Sequence, residues 1–271
     1  MVTAAAACTV AAAIASPPIA ALSHAPAGLS GSAAGTPAAA VDCRVTKCVA
    51  LTFDDGPTPY TVPILATLER RHAVATFFLI GPRALQYRNI VLREQRDGDA
   101  IGDHTVTHPR LTRLPPARID HELNTAAAQI ASVTGHRPTL FRPPFGAWND
   151  KVRSAADAAR LSVVMWSVSA RDWKNHNPHL IEDRVLTRVR RGAIVVLHDR
   201  YATTPPAVPT IVRTLQARGY VLVTVPQLFA TSEALRPGAV YHDEWCTTTV
   251  HSRGCEHPSR RRARLKDHVD P

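Results

Sequence analysis

Short runs of consecutive apolar residues alternate along this chain with longer stretches whose apolar positions recur every three or four residues. The runs at 48–55 (CVALTFDD), 75–81 (ATFFLIG), 100–104, 139–143, 161–168 (LSVVMWSV), 193–199 (AIVVLHD) and 221–225 predict seven strands. Between them, 61–72, 83–96, 115–134, 149–160, 178–191 and 205–218 carry helical spacing. Gly135, Gly192 and Gly219 stand as stops, and Asn149 stands as an N-cap. Strands that are apolar throughout, each followed by an amphipathic helix, indicate a parallel sheet covered on its outer face. Seven units in about 190 residues fit a closed or nearly closed β/α barrel better than an open sheet. Polar residues gather where the predicted strands end: Asp54-Asp55, His104, Arg142, Asp172 and His198-Asp199. In a β/α barrel that end is the reactive face.

Composition narrows the class. The chain has 271 residues, 45% of them apolar, which supports a folded core and excludes global disorder. No run of 18 apolar residues occurs, so stable membrane insertion is not expected. The formal charge is +10, yet only Lys47, Lys151, Lys174 and Lys266 of the 32 basic residues are lysines. With no zinc-finger or RNA-binding signature, a nucleic-acid partner is not expected. A monomer is expected.

Residues 1–41 contain no Lys, Arg, Asp or Glu, and 17 of them are Ala. Residues 4–15 resemble the apolar region of a signal peptide, though the positive flank is missing, and the remainder reads as an Ala/Pro-rich linker. The expected catalytic domain is 42–229. Residues 230–271 are expected to form a disulfide-containing appendage and a basic tail. Four cysteines beyond Cys8 fall into two close pairs. Among three possible pairings, proximity favours Cys43–Cys48 and Cys246–Cys255, in keeping with secretion or the cell wall.

Asp54-Asp55-Gly56-Pro57 is a strand end running into a turn, where two carboxylates can divide metal binding and proton transfer. His104-x3-His108 at helical spacing can turn both imidazoles to one ion, although two surface histidines give the same pattern. A third ligand from a neighbouring strand end would leave room for water or substrate. Arg142 beside a carboxylate would keep it ionised, and the Pro143–Gly146 turn can aim a backbone N–H at the site. His198 is a candidate general acid or a core histidine.

Thr52-Phe-Asp-Asp-Gly-Pro57, His104-x3-His108, Arg142-Pro-Pro-Phe-Gly146, Asp172-Trp173 and Leu197-His198-Asp199 resemble, in order, the five motifs of the polysaccharide deacetylase family (the NodB homology domain, carbohydrate esterase family 4). The resemblance implies a distorted (β/α)7 barrel. It implies a metal, zinc or another divalent transition ion, on Asp55, His104 and His108. It implies Asp54 as base, Arg142 orienting it, the Phe145 backbone N–H in the oxyanion site and His198 as acid. Trp173, Leu197 and Pro143 would contact substrate. The implied reaction is hydrolysis of N-acetyl groups on a peptidoglycan or chitin-type glycan. The alternatives are an O-acetyl xylan esterase and a catalytically silent glycan binder.

One departure stands out. The family commonly carries an aspartate four residues before the motif tryptophan, paired with the catalytic histidine. Here that residue is Ser169. The expectation is a lower His198 pKa unless Asp172 or Asp199 compensates, and an upward shift of the alkaline limb on Ser169→Asp.

Overall fold

A computed structural model describes residues 1–3, 41–232, 234–244, 246–249 and 252–255, the last two stretches by backbone alone. The expected signal segment and basic tail lie outside the described residues. The chain divides into Met1–Ala38 and Ala39–Pro271, and all of the described strands and helices belong to the second unit.

Strand β1 (Cys48–Gly56) is buried over its whole length. Its alternate side chains serve two layers. Val49, Leu51 and Phe53 join an outer core with Ile64, Leu65 and Leu68 of α1 (Thr61–Arg70), while Cys48 and Ala50 join an inner one. This double burial is why β1 reads as an unbroken apolar run. There follow β2 (Thr76–Leu79), α2 (Gly81–Gln86), α3 (Arg88–Arg96), β3 (Ala100–Asp103), α4 (Pro116–Thr134), β4 (Leu140–Phe141) and α5 (Asp150–Ala158). Asn149 caps α5 by accepting from Val152 N at 3.2 Å, and Gly135 ends α4 in the left-handed conformation. The predicted 83–96 helix is two helices, broken at Tyr87.

The predicted 161–168 strand is also two: β5 (Ser162–Val164) pairs with β4, and β6 (Val168–Ser169) pairs with the later β7. The break has a local cause. The carbonyls of Val164 and Met165 accept from the Arg142 guanidinium, each at 3.0 Å, instead of from a neighbouring strand. Next come α6 (Pro178–Arg188), β7 (Ala193–His198), α7 (Thr204–Ala217), β8 (Val221–Leu222), α8 (Val225–Phe229) and β9 (Val240–Asp243).

The barrel closes through seven strands. β1 to β5 pair in sequence and in parallel, β5 pairs with β9, β9 meets β7 at Asp243–Ala193, and β7 pairs with β1. The seventh member is therefore not the predicted 221–225 strand. β8 is cut to two residues by the Thr224 capping box that opens α8, and it pairs only with the start of β1. β9, which the sequence pattern leaves in the C-terminal appendage, lies in the ring between β5 and β7. A hairpin of β10 (Cys246–Thr249) and β11 (Ser252–Cys255) follows, with Cys246 and Cys255 directly opposite in register. Their side chains, and so the expected Cys246–Cys255 bond, lie outside the described residues. Cys43–Cys48 is a disulfide and lies in the inner core. No helix among the described residues is long and apolar enough to cross a membrane.

The inner layer is formed by Ala50, Phe78, Leu140, Val164, Ile194 and Tyr241. Gly102 is required here: a Cβ on it would lie 2.5 Å from the Phe78 ring. The residues two or four places beyond the inner apolar layer are Thr52, Asp54, Arg142 and His198, and their strand parity turns them into the same interior.

Candidate metal and acid–base site

At the end of β1 the parity is broken. Asp55 has φ 74°, and the register with β2 shifts between Asp54 and Gly56. That left-handed residue lets two adjacent carboxylates serve one site, against the ordinary strand alternation. Gly56 follows because a Cβ there would collide with the Asp199 carboxylate.

His104 and His108 do not sit on a helix, as their spacing had suggested. They lie on the loop after β3, with φ of 69° at Thr105 and 56° at His108. Two carboxylates hold the loop. Asp103 Oδ1 accepts from Thr105 N at 2.6 Å. Glu122 of α4 accepts from Val106 N, Thr107 N and the Thr107 hydroxyl at 3.0, 2.8 and 2.7 Å. The loop brings both Nε2 atoms to Asp55 Oδ1, at 3.3 Å from His104 and 3.1 Å from His108.

The donor chemistry fits a cation. His104 Nδ1 lies 2.7 Å from the Arg142 carbonyl, an acceptor only, so Nδ1 carries a proton and Nε2 is the ring atom turned toward Asp55, where a cation would take its lone pair. Asp55 Oδ1 is buried and, apart from the two Nε2 atoms, has no hydrogen-bond partner among the described residues. One ligand atom from each of the three residues lies within 4.8 Å of the others. Burial opposes ionisation of Asp55, but His104 and His108 outweigh it and hold its carboxyl well below the usual range. Burial likewise lowers His104, while Asp55 and Asp54 raise it above its ordinary value. Asp55 is further held from outside: its Oδ2 lies 3.3 Å from Nη1 of Arg200.

Arg142 is fully buried. Its guanidinium donates to Asp54 Oδ1 at 2.7 Å, to the Thr52 hydroxyl at 2.6 Å and to the two β5-end carbonyls, and it stacks over Phe78 at 4.2 Å. Four donors in fixed directions leave Asp54 one orientation.

His198 stands in register with Asp54 on the adjacent strand. Asp172 Oδ1 lies 2.8 Å from His198 Nδ1. Asp172 Oδ2 accepts from His198 N at 2.7 Å and from the Thr204 hydroxyl at 2.8 Å. Burial lowers the His198 pKa, but Asp172, followed by Asp54 and Asp55, outweighs it and pushes it up to about 9. Of the two carboxylates that could compensate for Ser169, Asp172 is the one placed to do so. Asp199 does not face the ring. It is bonded to the Thr61 hydroxyl, and burial raises it to about 7.

Phe145 has φ 61° and its exposed ring packs edge-on against His108, centroids 4.7 Å apart. Trp173 is exposed and Pro143 is buried. Leu197, expected at the substrate, is instead fully buried in the outer core, because His198 faces inward and its strand neighbour must face out. Sequence reasoning missed Glu122, Thr204, Arg110 and Arg200. Glu122 could have been suspected as a carboxylate on the apolar face of a helix; the others carry no local signal.

A barrel with a buried carboxylate–arginine pair, an imidazole–carboxylate pair and an Asp–His–His cluster at its strand ends defines a β/α-barrel protein with a candidate metal-hydrolase site. Comparison with known proteins makes this specific. The model of the family described as polysaccharide deacetylase matches residues 42–164. A chitooligosaccharide deacetylase from Bradyrhizobium sp. is 36% identical over 203 residues, covering 69% of this chain and 93% of that protein. The peptidoglycan-N-acetylmuramic acid deacetylase PdaC of Bacillus subtilis is 40% identical over 183 residues, 67% of this chain and 38% of that protein. An acetyl xylan esterase from Clostridium thermocellum, solved with a cobalt ion, superposes with TM-score 0.69 at 30% identity over 73% of this chain and 98% of that one. The chain belongs to the polysaccharide deacetylase family, and its matched part spans about two fifths of the first-ranked curated relatives.

Proposed function

We propose that this protein is an exported, divalent-metal-dependent deacetylase that removes N-acetyl groups from a peptidoglycan or chitin-type glycan. One observation carries the reading: the Asp55–His104–His108 cluster, the Asp54–Arg142 pair and the His198–Asp172 pair occupy one layer at the strand ends.

Asp55, His104 and His108 would hold the ion, and zinc suits that donor set. When bound, it supplies Lewis acidity toward the amide carbonyl and toward water. Asp54, fixed by Arg142, takes the proton of the attacking water. The Phe145 backbone N–H donates to the carbonyl oxygen as charge builds there. His198, kept protonated by Asp172, gives its Nε2 proton to the departing amine, an otherwise poor leaving group. Trp173 offers an apolar rim surface for a sugar. The Cys43–Cys48 disulfide supports export, with residues 1–41 as leader and linker and 42–229 as the principal catalytic segment.

Likeness to an acetyl xylan esterase favours one second reading, hydrolysis of O-acetyl groups at the same site. The test is acetate release from chitin oligomer, peptidoglycan and acetylated xylan, with chelator and with zinc restored. Zinc-restored release from an N-acetylated glycan is the expected result. Release from xylan alone moves the assignment to esterase.

A further inference from the structure

Two arginines stand at the mouth of the site, and no motif accounts for them. Arg200 follows the β7 end. Its side chain is 41% exposed, and among its described contacts it uses one donor, Nη1, on Asp55 Oδ2 and lies over the Tyr201 ring at 5.5 Å. Arg110 is exposed and lies over the Phe145 ring at 5.1 Å, and that ring in turn packs on His108. The two therefore flank the Asp55–His104–His108 cluster from opposite members of the triad. The charges of the site pair off, Asp54 with Arg142, Asp172 with His198 and Asp55 with Arg200 through a single donor, which leaves Arg110 as the surplus cation. No carboxylate among the described residues forms an ion pair with Arg110, and Arg200 keeps four of its five guanidinium N–H groups beyond its Asp55 contact. A guanidinium can donate to neutral hydroxyls, but its planar two-pronged donor edge matches a carboxylate best, in geometry and in charge.

Resting on the deacetylase reading, we propose that Arg200, aided by Arg110, forms a subsite for a carboxylate carried by the glycan next to the N-acetyl group being removed. The preferred substrate is an acidic N-acetylated glycan and not a neutral one. Arg200 is then a specificity residue, held in place from behind by Asp55.

The test compares three tetrasaccharides with the zinc-loaded full chain: neutral chitotetraose, the same backbone with 3-O-lactyl carboxylates on alternate sugars, and that compound with the lactyl groups amidated by a short peptide ending in a carboxylate. Deacetylation (kcat/KM) and binding by calorimetry are both read. The acidic compounds are expected to be favoured at least about tenfold, the scale of one charge-assisted hydrogen bond. Arg200→Gln should erase that ratio and Arg110→Gln should reduce it. Preference for the free lactyl compound locates the carboxylate on the sugar; preference for the amidated one locates it on the peptide. Equal binding of neutral and acidic compounds overturns the subsite even if all are deacetylated. A loss in Arg200→Gln that is equal for every compound also overturns it and makes Arg200 a positioning residue for Asp55. Absence of acetate release from all three, with the binding preference intact, sinks the deacetylase reading and leaves the subsite standing.

Discussion

Asp172 holds His198 twice, by its ring Nδ1 at 2.8 Å and by its backbone N–H at 2.7 Å, so one carboxylate sets both the direction of the imidazole and its charge. The pKa of about 9 places the acid form below that pH. Activity should fall as pH rises through about 9, because the proton donor is lost. Asp172→Asn should move the alkaline limb of kcat/KM down by at least about one unit and lower the rate, general acid catalysis being worth about 10²–10⁴-fold. Ser169→Asp should leave that limb in place, since Nδ1 is already taken. A pH–rate series on the three proteins checks both statements.

Arg142 is the most demanding buried group. Replacing it with Met leaves Asp54 ionisable, buried and unpaired. The expected loss is about 3–5 kcal/mol of stability, read by urea unfolding. Asp54→Asn keeps the shape and should remove nearly all activity while leaving the affinity for zinc within a few-fold.

Metal removal should abolish acetate release and lower Tm. Zinc at about 100 times its dissociation constant should add about 2.7 kcal/mol of stability. His104→Ala and His108→Ala should each remove most of that increment. Glu122→Gln touches no ligand, but it weakens the three hydrogen bonds that shape the His-bearing loop and should cost about tenfold in metal affinity, measured by chelator competition.

Glu94 is fully buried, neither carboxylate oxygen has a hydrogen-bond partner among the described residues, and burial, reinforced by Asp199 and Asp99, pushes its pKa well above the ordinary value. The folded state therefore holds a proton that the unfolded chain releases near pH 4. Its stabilising effect is complete below that pH and declines as pH rises toward the folded value. Glu94→Gln should flatten this decline and match or exceed the wild type at pH 9, by thermal unfolding across pH.

The strand-end motifs were legible because short-range features encode them: an apolar run, a turn and a polar residue at the junction. Asp54, Asp55, His104, His108, Arg142 and His198 all reach one region for that reason. What escaped depends on distant pairing. β9 is four residues whose partner strands precede it by more than 40 positions. The choice of Asp172 over Asp199 is a matter of where a loop places a carboxylate, and Asp199 is diverted to Thr61. The helical reading of His104 and His108 had the right spacing and the wrong backbone, since positive φ at Thr105 and His108 achieves the same convergence. Leu197 was lost to strand parity.

Phe78, wedged against Gly102 and roofed by the Arg142 guanidinium, gives the barrel a floor. The site is therefore a cup with one entrance and no exit below. On the deacetylase reading, a polymer would not thread through the barrel but would lie across its open end and present one side group at a time.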